Sequence, residues 1–155
     1  ARFVPENNIE SICEAFSHSR LKESHDLIFV GDIKNYPKDL ELLFPEVNFI
    51  GPIYDTRKLG SLIVRCECYL HGHTVGGTNP ALVEALHLGA RLIAHDNEFN
   101  RSTLEGRGFY FKNAKDLRGL LDLKEEDKEN YKVLYANRYS ASVIASQYCE
   151  VAAKC

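Results

Sequence analysis

The chain has 155 residues, of which 45% are hydrophobic and 26% charged, with a formal net charge of −3. That balance is expected of one soluble globular domain with enough apolar material for a real core. It carries no basic field for nucleic acid or a membrane surface, no apolar run near the roughly 20 residues of a membrane span, and no signal-peptide pattern.

Five cysteines stand at 13, 66, 68, 149 and 155 without a CxxC pair. Cys13, Cys66 and Cys68 read as reduced thiols. A zinc site through Cys66, Cys68, His71 and His73 is disfavoured, because structural zinc draws its ligands from two separated pairs and these four share one short strand. Methionine is absent and the sequence opens on Ala1-Arg2-Phe3, as expected of a C-terminal piece excised from a longer protein.

In chain order, Asn7 and Glu10 have capping-box spacing. Ile9, Ile12, Cys13 and Phe16 follow at i, i+3, i+4 and i+7, which predicts an amphipathic helix over about residues 8–19. Leu27 to Val30 is a short apolar run ending in Gly31-Asp32, read as a buried parallel strand. Asp39 to Phe44 is read as a short helix stopped by Pro45, and Val47 to Ile50 as the next strand. The loop Gly51, Pro52, Ile53 and Tyr54 follows, then a helix capped by Asp55 and running through Arg65.

Glu67 to His71 is the strand that enters the central stretch, and His71 and His73 bracket the turn after it. Gly76 and Gly77 let the backbone approach a ligand closely. Asn79 suits an N-cap, Pro80 the first helical position, Ala81 to Leu88 the helix, and Gly89 its stop. A helix starting directly after a glycine loop is expected to offer unpaired N–H groups and the positive end of its dipole to phosphate. Glu84 lies about one turn in and leans back toward that end, where a carboxylate can accept from both hydroxyls of a ribose. His73 is a candidate donor to a phosphate or sugar oxygen; as histidine titrates near neutrality, phosphate binding there would be pH-sensitive. The alternative for His73 is a purely structural hydrogen bond.

Arg91 to His95 is the next strand, with Asp96 to Arg101 at its C-terminal end, where open α/β sheets hold ligands. Asn97 and Asn100 are weaker candidates there. Residues 102–107 are read as a short helix ended by Gly108, Phe109 to Phe111 as the last strand, and Ala114 to Leu121 as a helix. Lys124 to Asn130 reads as a solvated turn. Tyr131, Leu134, Ala141, Ile144, Tyr148 and Val151 keep one helical spacing to near the C-terminus. Strands alternate with helices throughout, which predicts an α/β, Rossmann-like parallel sheet with helices on both faces.

The segment Tyr69 to Gly89, YLHGHTVGGTNPALVEALHLG, resembles the donor-binding motif of the family 4 glycosyltransferases, retaining enzymes of GT-B fold. Their pattern is a strand, a polar loop, then Glu-x7-Glu; here the second Glu is Glu84 and the first position is Gly76. Gly-Gly-Thr-Asn-Pro resembles a subgroup that includes bacterial rhamnosyltransferases acting on cell-surface polysaccharide. The likeness extends over most of the chain and implies the C-terminal half of a GT-B fold.

It further implies that the donor diphosphate lies over Gly76, Gly77, Thr78 and Asn79 near His73. Glu84 would hold the ribose, Ile53 or Tyr54 would cover the nucleobase, and Arg2 would assist the leaving diphosphate by its charge. The family's second cation falls at Asn7 or Asn8 and is missing, and Gly76 removes a carboxylate that addresses the sugar in other members. The resemblance implies no cofactor and no obligatory metal. The substrate would be a nucleotide-sugar, dTDP- or UDP-linked, carrying a hexose or a deoxyhexose such as rhamnose. The saccharide or lipid-linked acceptor would bind through a separate N-terminal domain, in the cytoplasm, with the inner membrane face left open. The isolated chain is expected to bind donor weakly and transfer nothing. The alternatives are a non-catalytic nucleotide or sugar-phosphate binding module and, further off, a GT-B sugar epimerase.

Overall fold

The computed structural model describes residues 2–34, 36–123 and 130–152. Five short strands alternate with eight α-helices among them: α1 (Ile9–Ser17), β1 (Leu27–Val30), α2 (Leu40–Leu43), β2 (Val47–Ile50), α3 (Thr56–Arg65), β3 (Tyr69–His71), α4 (Pro80–Leu88), β4 (Leu92–His95), α5 (Glu98–Thr103), β5 (Phe109–Phe111), α6 (Ala114–Asp122), α7 (Tyr131–Arg138) and α8 (Ala141–Ala152). A 3-10 turn at Pro5–Asn7 precedes α1.

All pairings are parallel, as short apolar strands joined by helical crossovers require. The strands divide into two sheets, β1-β2 and β3-β4-β5. Successive residues of a strand face opposite ways, and β4 shows the consequence. Ile93 packs with α1 and α6, through Ile9, Ile12, Phe16 and Leu117, into a core that also takes Phe29 of β1. Leu92 and Ala94 point the other way, onto Leu82, Ala85 and Leu86 of α4 and Tyr131 and Leu134 of α7. The three-stranded sheet is therefore covered on both faces. The β1-β2 pair is covered on the α1 side, where Phe29 and Phe49 stack at 5.5 Å, while Ile28 on the other face is 46% exposed.

Local chemistry sets most boundaries. Asp39, Asp55, Asn79, Asn97, Asn113 and Asn130 each accept a hydrogen bond from a first-turn amide of the helix that follows. Three expectations are corrected. Asn7 and Glu10 form no capping box: Asn8 precedes α1 in the left-handed region, and Glu10 instead meets Tyr36 and Lys38. The helix expected over 102–107 lies earlier, at Glu98–Thr103, because Asn97 starts it and the left-handed Glu105 and Gly106 end it. The terminal helix is two helices. Tyr139 closes α7, with its hydroxyl donating to Thr103 O, and the Ser140 carbonyl accepts from Ile144 N as α8 begins. The turn expected over Lys124 to Asn130 falls, but for Asn130, outside the described residues.

The N-terminal segment is seated on the end of β3 by a glycine. A Cβ placed on Gly72 would sit 2.0 Å from the Asn7 carbonyl oxygen. Gly72→Ala is therefore expected to lift the 3-10 turn off β3 and to destabilise the chain by about 2 kcal/mol or more in urea unfolding, through displaced backbone rather than lost surface. An unchanged midpoint would mean that this contact is not kept in solution.

Candidate functional site

The site is built where β3 and β4 end. Register places His71 opposite Ala94, so His95 stands one residue beyond it on the neighbouring strand. Asn97 and Asn100, on the cap and first turn of α5, both donate from Nδ2 to the His73 carbonyl oxygen, each at 3.0 Å. Asn100 also donates to the His95 carbonyl at 2.9 Å and is itself buried. From the opposite side Asn8 Nδ2 donates to Gly72 O, and Thr74 N donates to Glu6 O. Asn7 bridges Arg2 and His73: its Nδ2 donates to Arg2 O at 2.6 Å, and its Oδ1 lies 2.7 Å from His73 Nδ1.

Asn97 and Asn100 thus hold the loop rather than face an open ligand site. Asn7 and Asn8 hold it from the other side, where spacing alone had pointed to helix capping. The only sequence signal for their role was one pair of asparagines before α1 and another just after β4, and an asparagine can join two backbones because it both donates and accepts.

The loop continues into Gly76, Gly77 and Thr78, which are exposed, with Gly76 at φ +83°. Nothing lies within 4 Å of a Cβ built on either glycine, so the backbone there is open to a ligand. Asn79 then starts α4, as expected from the sequence. The consequence for anion binding differs from expectation. Asn79 Oδ1 accepts from Ala81 N, its carbonyl accepts from Leu82 N and Val83 N, and Pro80 has no N–H. The first-turn amides of α4 are consumed by its own cap. The donors left for an anion are the loop amides before the helix, assisted by the helix dipole.

Glu84 lines a shallow open hollow with Thr78, Pro80, Val83, His87, Tyr135 and Tyr139. The structure therefore brings Glu84 and Thr78 together. Tyr69, at the start of β3, belongs to the same surroundings. Burial, and secondarily the Glu84 charge, push its phenol up to about 12, which keeps it a neutral hydrogen-bond donor. Ile53 lines a different hollow, with Asp55, Arg57, Lys58, Ser61, Leu62 and Arg65, and the neighbouring Tyr54 is 88% exposed. Arg2 is exposed, and among the described residues its guanidinium has no hydrogen-bond or ion-pair partner. Ile53 and Tyr54 are thus not gathered with Glu84 into one enclosed pocket within this chain.

No family model matches the chain, and no curated protein matches it. Solved structures do. HepE (Alr3699) of Anabaena in complex with UDP superposes over 100% of this chain with a TM-score of 0.84 at 20% identity. This chain covers 47% of that one, about half its length. The GtfA/B complex matches over 97% of this chain and 34% of its own, with a TM-score of 0.69 at 17% identity. The pneumococcal O-GlcNAc transferase GtfA, solved with UDP and GlcNAc, matches over 95% of this chain and 30% of its own, with a TM-score of 0.57 at 16% identity. The fold is the Rossmann-like half of a GT-B architecture.

His71 supplies a test of the site's burial. Among the described residues its Nε2 has no hydrogen-bond partner, and desolvation, with the neighbouring His73 as a lesser cause, lowers its pKa to about 4. A histidine whose folded pKa lies below its unfolded value of about 6.5 binds fewer protons folded than unfolded between the two. Its contribution is therefore fully present above about pH 6.5 and is lost as pH falls toward about 4. We expect this to account for up to about 3 kcal/mol of acid destabilisation. His71→Gln should flatten that limb relative to the unsubstituted chain in denaturant unfolding at stepped pH. Parallel curves for the two proteins would show that His71 is solvated.

Proposed function

We propose that this chain is the nucleotide-sugar-binding half of a retaining GT-B glycosyltransferase resembling family 4. The observation that carries the reading is the exposed loop Gly76-Gly77-Thr78 running into α4, with Glu84 one turn in and sharing a hollow with Thr78. The diphosphate lies over the loop amides of Gly76, Gly77, Thr78 and Asn79, beside His73. Glu84 accepts from the ribose hydroxyls, with Tyr69 close behind it. Ile53, in the separate hollow, and the exposed Tyr54 are the base contacts that the family resemblance implies. Arg2 adds the positive charge that stabilises a departing diphosphate without a proton transfer.

Support comes from neighbours of the same fold solved with UDP or UDP-glucose, and from one that is named an O-GlcNAc transferase. Transfer of a hexose, or of a deoxyhexose such as rhamnose, in cell-surface polysaccharide synthesis follows from the resemblance of the Gly-Gly-Thr-Asn-Pro segment. The acceptor site and a second phosphate cation then belong to the other half of the enzyme, on the cytoplasmic side, and this chain alone transfers no sugar.

Calorimetric titration with UDP, dTDP and GDP tests the reading. One diphosphate, UDP first, should bind, and at ten times its Kd it should raise unfolding stability by about 1.4 kcal/mol. Glu84→Ala should weaken that binding about tenfold or more, the cost of hydrogen bonds to a charged group. Equal affinity in the variant would remove Glu84 from the site. Binding without sugar transfer by the longer protein would favour a non-catalytic module.

A further inference from the structure

The hydrogen-bond pattern around Asn7 has a chemical consequence for His73. Arg2 O is a carbonyl and can only accept, so the amide group facing it at 2.6 Å must be Asn7 Nδ2. That leaves Asn7 Oδ1, which can only accept, facing His73 Nδ1 at 2.7 Å. His73 Nδ1 therefore carries a hydrogen. In a neutral imidazole Nε2 is then a bare lone pair, which repels an anion; in the imidazolium it is an N–H, which donates to one. No hydrogen bond to Nε2 is formed among the described residues, and the ring is half-buried. The main chain under it is held by Asn97 and Asn100, and the ring itself by Asn7.

We propose that Asn7 is the positioning residue of His73: it holds the ring hydrogen on Nδ1 and leaves Nε2 as the atom that meets an anionic ligand, so that diphosphate binds with uptake of one proton at Nε2. The proton comes from solvent, and no covalent bond is made or broken besides the new N–H. The proton uptake rests on the donor-site reading above, whereas the tautomer does not.

The groups around His73 are few. His71, the last residue of β3, lies with its ring centroid 6.2 Å away. Glu6 and Arg2 stand on the N-terminal segment and Glu98 on α5, all exposed to water. At the end of β4 His95 reaches it through Asn97, and Asp96 is engaged by Arg101 and Lys112. None stands as close to the ring as Asn7, so changing Asn7 changes the nearest partner.

The test begins with long-range nitrogen NMR on the ligand-free chain, which reads the tautomer directly. An Nδ1–H pattern for His73 is expected; an Nε2–H pattern overturns the proposal whatever the chain binds. Asn7→Asp keeps an acceptor facing Nδ1, so the Nδ1–H pattern of His73 should persist in it. Asn7→Leu should abolish the Nδ1–H preference, and an unchanged pattern in it overturns the role of Asn7. UDP and inorganic pyrophosphate are then titrated in two buffers of different ionisation heat. Net uptake of about one proton on binding is expected. Binding without proton uptake overturns the second half of the proposal. If the tautomer is as stated and neither anion binds, the donor-site reading and the proton uptake fail together, while the positioning of His73 by Asn7 is supported.

Discussion

Everything near the site depends on how the segment before α1 closes over the end of β3. Gly72 has no side chain there because the Asn7 carbonyl occupies the space a Cβ would need. That close approach lets Glu6, Asn7 and Asn8 bond to Thr74, His73 and Gly72 in turn. Asn97 and Asn100 take the same loop from the β4 side. The loop is thus clamped between two sequence-distant segments, and the next residues, Val75 to Thr78, project free of it. Binding loops set on a rigid frame lose less freedom when a ligand arrives.

The same frame shows a competition that glycine-loop motifs usually hide. A helix start can satisfy its own amides or lend them to a ligand. Here Asn79 and Pro80 resolve this for the helix: one caps it and the other has no N–H to lend. What the loop can offer an anion is its own amides and the helix dipole. Each of these is weaker or more conditional than a ring of helix amides.

Much of the scaffold was legible in the sequence. The ranges of β1 and β2, the cap of α3, and α4 from Asn79 to Gly89 all follow from local rules, because each depends on residues within a turn or two of one another. The failures were also local in form and non-local in cause. Asn7 with Glu10 has the spacing of a capping box, yet Asn7 does more by joining Arg2 to His73, a partner 66 residues away. The helix expected at 102–107 was displaced because Asn97 both caps α5 and holds His73, so the start was set by the strand end it is tied to.

Sequence by itself determined the alternation of strand and helix, the caps, the exposed glycine loop and the place of Glu84 one turn beyond it. Those are consequences of backbone preference and short-range hydrogen bonding. Only the tertiary structure decided which amides stay free, which nitrogen of His73 carries its hydrogen, and that Thr78 and Glu84 share a hollow from which Ile53 is separate. These depend on groups far apart in the chain meeting within about 3 Å, the range at which a hydrogen bond acts.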